Sequence, residues 1–158
     1  MNSPKLTFYH ANGRGTGSAI AFSIQPQTNE VDGRLVVTIA NQVMQTAGDN
    51  NIPTFPRFDW ENGATVEFNF TEVSEIICVL SGMQESIQDG QGLVIRTAKH
   101  IARFNLSHHV DGCFLLQLTC REVDHEEEYP FKFKLTSVDG EGLRLALEHS
   151  MARLAFGI

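Results

Sequence analysis

Along "VDGRLVVTI" (31–39) and again along "VDGCFLLQL" (110–118), large apolar residues occupy every second position. That period belongs to a strand with one buried face. Leu35, Val37 and Ile39 share a face in the first segment, as do Phe114, Leu116 and Leu118 in the second. Val-Asp-Gly opens each run as a turn signal, because Asp bonds its own backbone and Gly accepts positive φ. The match extends on both sides. Upstream, "IAFSIQ" (20–25) aligns with "ARFNLS" (102–107), pairing Phe22 with Phe104 and Ile24 with Leu106. Downstream, "VEFNFTEV" (66–73) aligns with "FKFKLTSV" (131–138). The offset falls from 82 (Phe22 to Phe104) to 79 (Asp32 to Asp111) to 65 (Phe68 to Phe133), as loops of changed length between preserved elements produce.

After Thr71 and Thr136 the apolar period lengthens to that of a helix. Val73, Ile76, Ile77, Leu80 and Met83 line one face of the first; Leu143, Leu147, Ser150 and Leu154 line one face of the second. Both threonines stand where an N-cap belongs, with Glu72 and Glu75, or Asp139 and Glu141, near the positive helix start. Gly140 and Gly142 weaken the second helix's first turn and move its expected start a few residues later. The pattern predicts an α+β fold of two ββββα repeats related by pseudo-twofold symmetry. Repeat one spans about 5–84, a linker 85–91, and repeat two about 92–158, all within a single domain over 1–158. Each repeat alone buries little, so the halves are expected to share one core.

Composition narrows the class. The chain is 42% hydrophobic and 20% charged, with no low-complexity tract. The start lacks a basic region followed by an apolar one, and no stretch approaches a membrane span. Three cysteines without a CxxC pair argue against a secreted disulfide framework, so a cytoplasmic location is expected. "NGRGTGS" (12–18) lacks the GK[ST] ending of a phosphate loop and leads into a strand; it reads as a turn whose small residues admit a close backbone. The six histidines have no zinc spacing, and no nucleophile carries a local signature. Neither an enzyme, nor a cofactor, nor a metal is expected.

The net charge of −7 argues against a phosphate ligand until its distribution is examined. Residues 61–92 carry six acids and no base, and "EVDHEEEY" (122–129) carries five more acids. Residues 93–121 reverse this, with Arg96, Lys99, Arg103 and Arg121 against Asp111 alone. Alternation turns Lys99, Arg103, Lys132 and Lys134 to the open face of their strands in repeat two. In repeat one, Leu6, Phe8 and His10 alternate with Lys5, Thr7 and Tyr9, and Arg34 shares an open face with Thr38. Cations with an aromatic ring are what binds single strands without reading sequence. Lys5, Arg14, Arg34, Lys99, Arg103, Lys132 and Lys134 are the candidate phosphate contacts. Tyr9 and the "RFDW" group (Arg57, Phe58, Trp60) are the candidate base contacts, with Phe58 and Trp60 equally readable as core aromatics closing the sheet. Lys and Arg on an open sheet face also simply keep a protein soluble.

Both helices are apolar round most of their circumference, the mark of burial on more than one side. Partner subunits covering them would place Ile77, Leu80, Leu147 and Met151 at an oligomer interface. The alternative is that the two helices cover each other inside one chain.

The duplicated plan resembles the Whirly family of single-stranded-DNA-binding proteins over nearly the whole chain. "FDWENGATVEFNFTEVSEIICVLSGM" (58–83) is similar to the family's aromatic-Asp-Trp-Glu stretch leading through a strand to a Thr-Glu-Val helix start. "GSAIAFSIQP" (17–26) sits where the family has its Lys-Gly-Lys-Ala-Ala-Leu strand, and "ARFNLSHHVDGCFLLQL" (102–118) matches its second-repeat hairpin. The two family lysines fall on Gly17 and Ala19, with Arg14 just upstream. The resemblance implies two antiparallel four-stranded sheets packed crosswise, helices at the centre of a homotetramer, and DNA along the sheets. Three functions are compatible with it: sequence-tolerant single-stranded DNA binding in replication, recombination or repair of a genome or mobile element; RNA binding or annealing, as in kinetoplastid proteins of the same fold; and an oligomeric structural role without a nucleic-acid ligand.

Overall fold

The alternation becomes strand wherever it is sustained. In the computed structural model, which describes residues 4–43 and 55–158, β1 (Leu6–His10), β2 (Ser18–Gln25), β3 (Arg34–Asn41) and β4 (Ala64–Phe68) precede helix α1 (Phe70–Leu80). The second repeat follows as β5 (Leu93–Arg96), β6 (His100–His108), β7 (Phe114–Glu122), β8 (Glu128–Leu135) and helix α2 (Ser137–Phe156). Each set of strands forms one antiparallel meander, in the orders β1-β2-β3-β4 and β5-β6-β7-β8. Leu35, Val37, Ile39, Phe104, Leu106, Leu116 and Leu118 are all at most 1% exposed, so the period-two faces are the core faces.

The two repeats share that core. Phe68 and Phe104 meet edge to face at 4.7 Å, and the Ser18 hydroxyl donates to the Lys132 carbonyl at 2.5 Å, joining β2 of one sheet to the outer strand β8 of the other. In α1, Val73, Ile76, Val79 and Leu80 are buried, and Leu143, Leu147 and Leu154 of α2 pack with them. The linker contributes as well: Ile87 is fully buried and the Gln88 amide donates to the Glu75 carboxylate, so this segment is anchored to α1.

Two helix starts differ from expectation. Asn69, not Thr71, caps α1: its Oδ1 accepts the Glu72 amide at 2.9 Å while the Glu72 carboxylate accepts the Asn69 amide. Asn outranks Thr as a cap, and only at 69 does the pair close a reciprocal box. Thr136 does cap α2, by accepting the Asp139 amide at 3.1 Å, yet the helix begins directly after it. Its weak first turn is set by packing rather than propensity, because a Cβ on Gly140 would lie 2.6 Å from the Phe114 ring.

Leu80 and Leu147, expected at a subunit contact, are 5% and 3% exposed within the single chain, because α1 and α2 lie against each other. Ile77 and Met151 are half-buried at the margin of the same core. Met83, expected on the buried face of α1, lies beyond the helix end and is exposed.

Candidate nucleic-acid interface

Register assembles the second sheet's outer face row by row. Arg96, Ile101, Arg121 and Glu128 stand side by side across the four strands; Val94, Arg103, Thr119 and Pro130 form the next row. Asn105, Gln117 and Lys132 follow, then Ser107, Leu115 and Lys134. Five cations thus share one face with the single acid Glu128. Among the described residues none of the five forms an ion pair, whereas Arg144 on α2 is held between Glu141 (2.7 Å) and Glu148 (3.0 Å). The Arg144 hydrogen bond also holds the Glu141 carboxyl below its usual range.

Two of the five side chains have backbone partners. Arg103 donates to the Gln91 carbonyl at 3.0 Å, and Arg121 to the carbonyls of Val123 and His125, so Arg121 draws the acidic β7–β8 loop towards this face. A shallow depression of about 350 Å³ is lined by Arg96, Arg103, Arg121 and Glu128. Lys99 is exposed in the β5–β6 turn, beyond the strands. Arg96 and Arg121 are absent from the sequence-based candidates, although the alternation that exposes Gln117 and Thr119 also exposes Arg121.

The first sheet's outer face is chemically different. Its rows read Thr7, Ala21, Thr38, Thr65 and then Tyr9, Ala19, Ala40. Thr38 and Thr65 share a 3.1 Å hydroxyl hydrogen bond. Phe58 bridges Gln42 in the strand direction, which puts it on this outer face, where its ring lies 5.6 Å from that of Tyr9. Tyr9 is 65% exposed and Trp60 38%, so neither closes the core. Arg57, Lys5 and Arg14 are exposed at the margins, and Arg34 is half-buried at the foot of β3. Arg14 rides on a well-braced turn: the Asn12 side chain accepts from the amides of Arg14 and Thr16, and Gln42 ties down Asn12 and Gly17. Gly17 admits a close backbone there, since a Cβ would meet the His10 carbonyl. Cations therefore gather on the second sheet, and aromatic rings on the first.

No helix among the described residues is long and apolar enough to cross a membrane, and no cluster of metal-ligating side chains is present among them.

No protein-family model matches the sequence, and no curated protein matches it significantly. Solved structures do match in shape. The WHY1 protein of Arabidopsis thaliana superposes with a TM-score of 0.67 at 11% identity, covering 99% of this chain and 87% of that one. The plant transcriptional regulator PBF-2 gives a TM-score of 0.66 at 13% identity, over 98% of this chain and 83% of its own. A guide-RNA-binding protein complex, solved bound to a guide RNA, gives 0.65 at 12% identity over 99% and 96%. With its two antiparallel four-stranded sheets, each followed by a helix, the chain has the two-repeat fold of the Whirly proteins.

Proposed function

We propose that the protein binds single-stranded nucleic acid without reading sequence, and that single-stranded DNA is its ligand. The observation that carries this reading is the set of cations without ion-pair partners, among the described residues, on the second sheet's outer face of a protein whose overall charge is −7. A polyanion is repelled at long range by such a chain, so attraction has to come from a local basic face and from stacking. Arg96, Arg103, Lys132 and Lys134 take phosphates on the second sheet, with Lys99 beside them, while Tyr9 and Phe58 offer rings on the first. Lys5, Arg14, Arg34, Arg57 and Trp60 extend the contact. The role is replication, recombination or repair in the cytoplasm. Exposed Phe70, Met83, Val138, Leu145 and Phe156 on and beside the helices support assembly as a homotetramer through them.

RNA is the second reading, favoured by the likeness to a complex solved with guide RNA. Titration of labelled single-stranded DNA, duplex DNA and RNA of matched length, each at two salt concentrations, separates the two. Single-stranded DNA is expected to bind tightest; preference for RNA selects the second reading, and no binding by any of the three refutes both.

A further inference from the structure

Where the core faces of the two sheets end, the side chains become small. On the second sheet, Leu93, Phe104, Leu118 and Phe131 form one row of large apolar residues; the next row is Ile95, Ala102, Cys120 and Tyr129, with His100 and Glu122 paired beyond it. Facing it, Gly63 and Ala64 stand at the start of the edge strand β4. Alanine, cysteine and glycine cannot span the space that Phe and Leu fill one row deeper. A cleft opens there, in two lobes of about 630 and 520 Å³ that share Gly63, Ala64, His100 and Cys120 as walls. Either lobe falls within the roughly 300–1,000 Å³ of small-ligand sites.

Three features define what fits. Tyr129 lines the second lobe with half its surface exposed, offering a ring face next to an apolar floor. Arg96 lines both the first lobe and the cationic depression on the outer face, so the cleft opens beside the face described above. The cleft itself is not basic: Asp59, Glu67, Glu72 and Glu122 border it against Arg34, Arg96 and Arg121. Carboxylates repel a phosphate but accept from exocyclic amino and ring N–H groups. The cleft therefore suits an uncharged, flat, hydrogen-bonding group whose phosphate stays outside.

We propose that this cleft is a nucleobase pocket, into which a strand lying on the second sheet turns one unstacked base past Arg96, over the Ala102–Cys120 floor and against Tyr129. The inference rests on the nucleic-acid-binding reading and adds a buried base site to its two open faces.

Cys120 supplies the test. Burial pushes its thiol pKa up, so alkylation is followed in mildly alkaline buffer, in a Cys78→Ser/Cys113→Ser protein that leaves Cys120 as the reporter. N-ethylmaleimide is the probe, with saturation by oligothymidylate or by an abasic strand of equal length verified by anisotropy. Oligothymidylate is expected to slow alkylation about tenfold, in keeping with one stacked base at roughly 1–3 kcal/mol, and the abasic strand to leave the rate unchanged. An unchanged rate at saturation overturns the pocket and leaves the binding reading standing. Equal protection by both strands also overturns it, because the base is then irrelevant. Failure of oligothymidylate to bind overturns both inferences. Ala102→Phe, which fills the floor, is expected to weaken oligothymidylate binding about tenfold while sparing the abasic strand; equal affinities for both relative to wild type count against the pocket, and should this variant not fold, the alkylation rates decide.

Discussion

Replacing Lys132 and Lys134 together by Gln removes two charges from the outer face of β8 and nothing else. Both side chains are exposed and form no ion pair among the described residues, and the link from β8 to Ser18 uses the backbone carbonyl of Lys132, which the substitution leaves in place. Arg103 is a poorer choice, because losing its guanidinium also frees the Gln91 carbonyl of the linker. Each phosphate contact on a single strand contributes about 0.7 to the slope of log K against log salt. Without the two ammonium groups that slope falls by about 1.4, which at about 0.1 M salt is a roughly 25-fold weakening and at about 0.4 M roughly 3.5-fold. Fluorescence anisotropy with a labelled oligonucleotide across that range reads both the slope and the affinities. An unchanged affinity at low salt would show that the lysines are solvated surface. A loss of equal size at every salt concentration would refute the ionic account even if binding fell.

Tyr9→Ala is expected to weaken binding by a similar factor at all salt concentrations, at roughly 1–3 kcal/mol per stacked base; a loss confined to low salt counts against stacking. Gly140→Ala is expected to cost about 1–3 kcal/mol of stability in thermal or urea unfolding through the Phe114 ring, because overpacking strains a filled site. Gly142→Ala, with nothing within 4 Å, should stabilise by up to about 1 kcal/mol in the same assay, so the two glycines differ in sign. Asn69→Ala should cost about 1 kcal/mol, whereas Thr71→Ala should cost far less, which equilibrium unfolding distinguishes. Ile77→Asp, at the half-buried margin of α1, is expected to lower the mass seen by light scattering before strand content is lost; an unchanged mass speaks against assembly through the helices.

The strands were legible because each sheet has one buried face, and a period of two then has only one physical meaning. Phe22 and Phe104, matched as letters, are both core residues. What the alternation could not convey is which non-local segment covers which face. Phe58 lies on the outer face through its bridge to Gln42, and no periodicity in residues 57–60 encodes that partner. The apolar residues of α1 and α2 likewise do not name what covers them; for Leu80 and Leu147 the cover is the chain's own core. Arg96 and Arg121 were readable by parity alone. Tyr129 was not, since its worth depends on the small residues beside it in space, Ala102 and Cys120, and on β4 across the cleft.

The hydrogen bond from Ser18 to Lys132 spans 114 residues of sequence, and the Phe68–Phe104 contact ties the first repeat to the second. On the ribosome, β1 to α1 therefore emerge complete in sequence but with the apolar side of their sheet uncovered until β6 to β8 have been made. Such long-range closure is slow, and the waiting half presents unpaired strand edges to other nascent chains. The acids that crowd residues 61–92 arrive at that stage of synthesis and give the half-made protein a charge that keeps its copies apart.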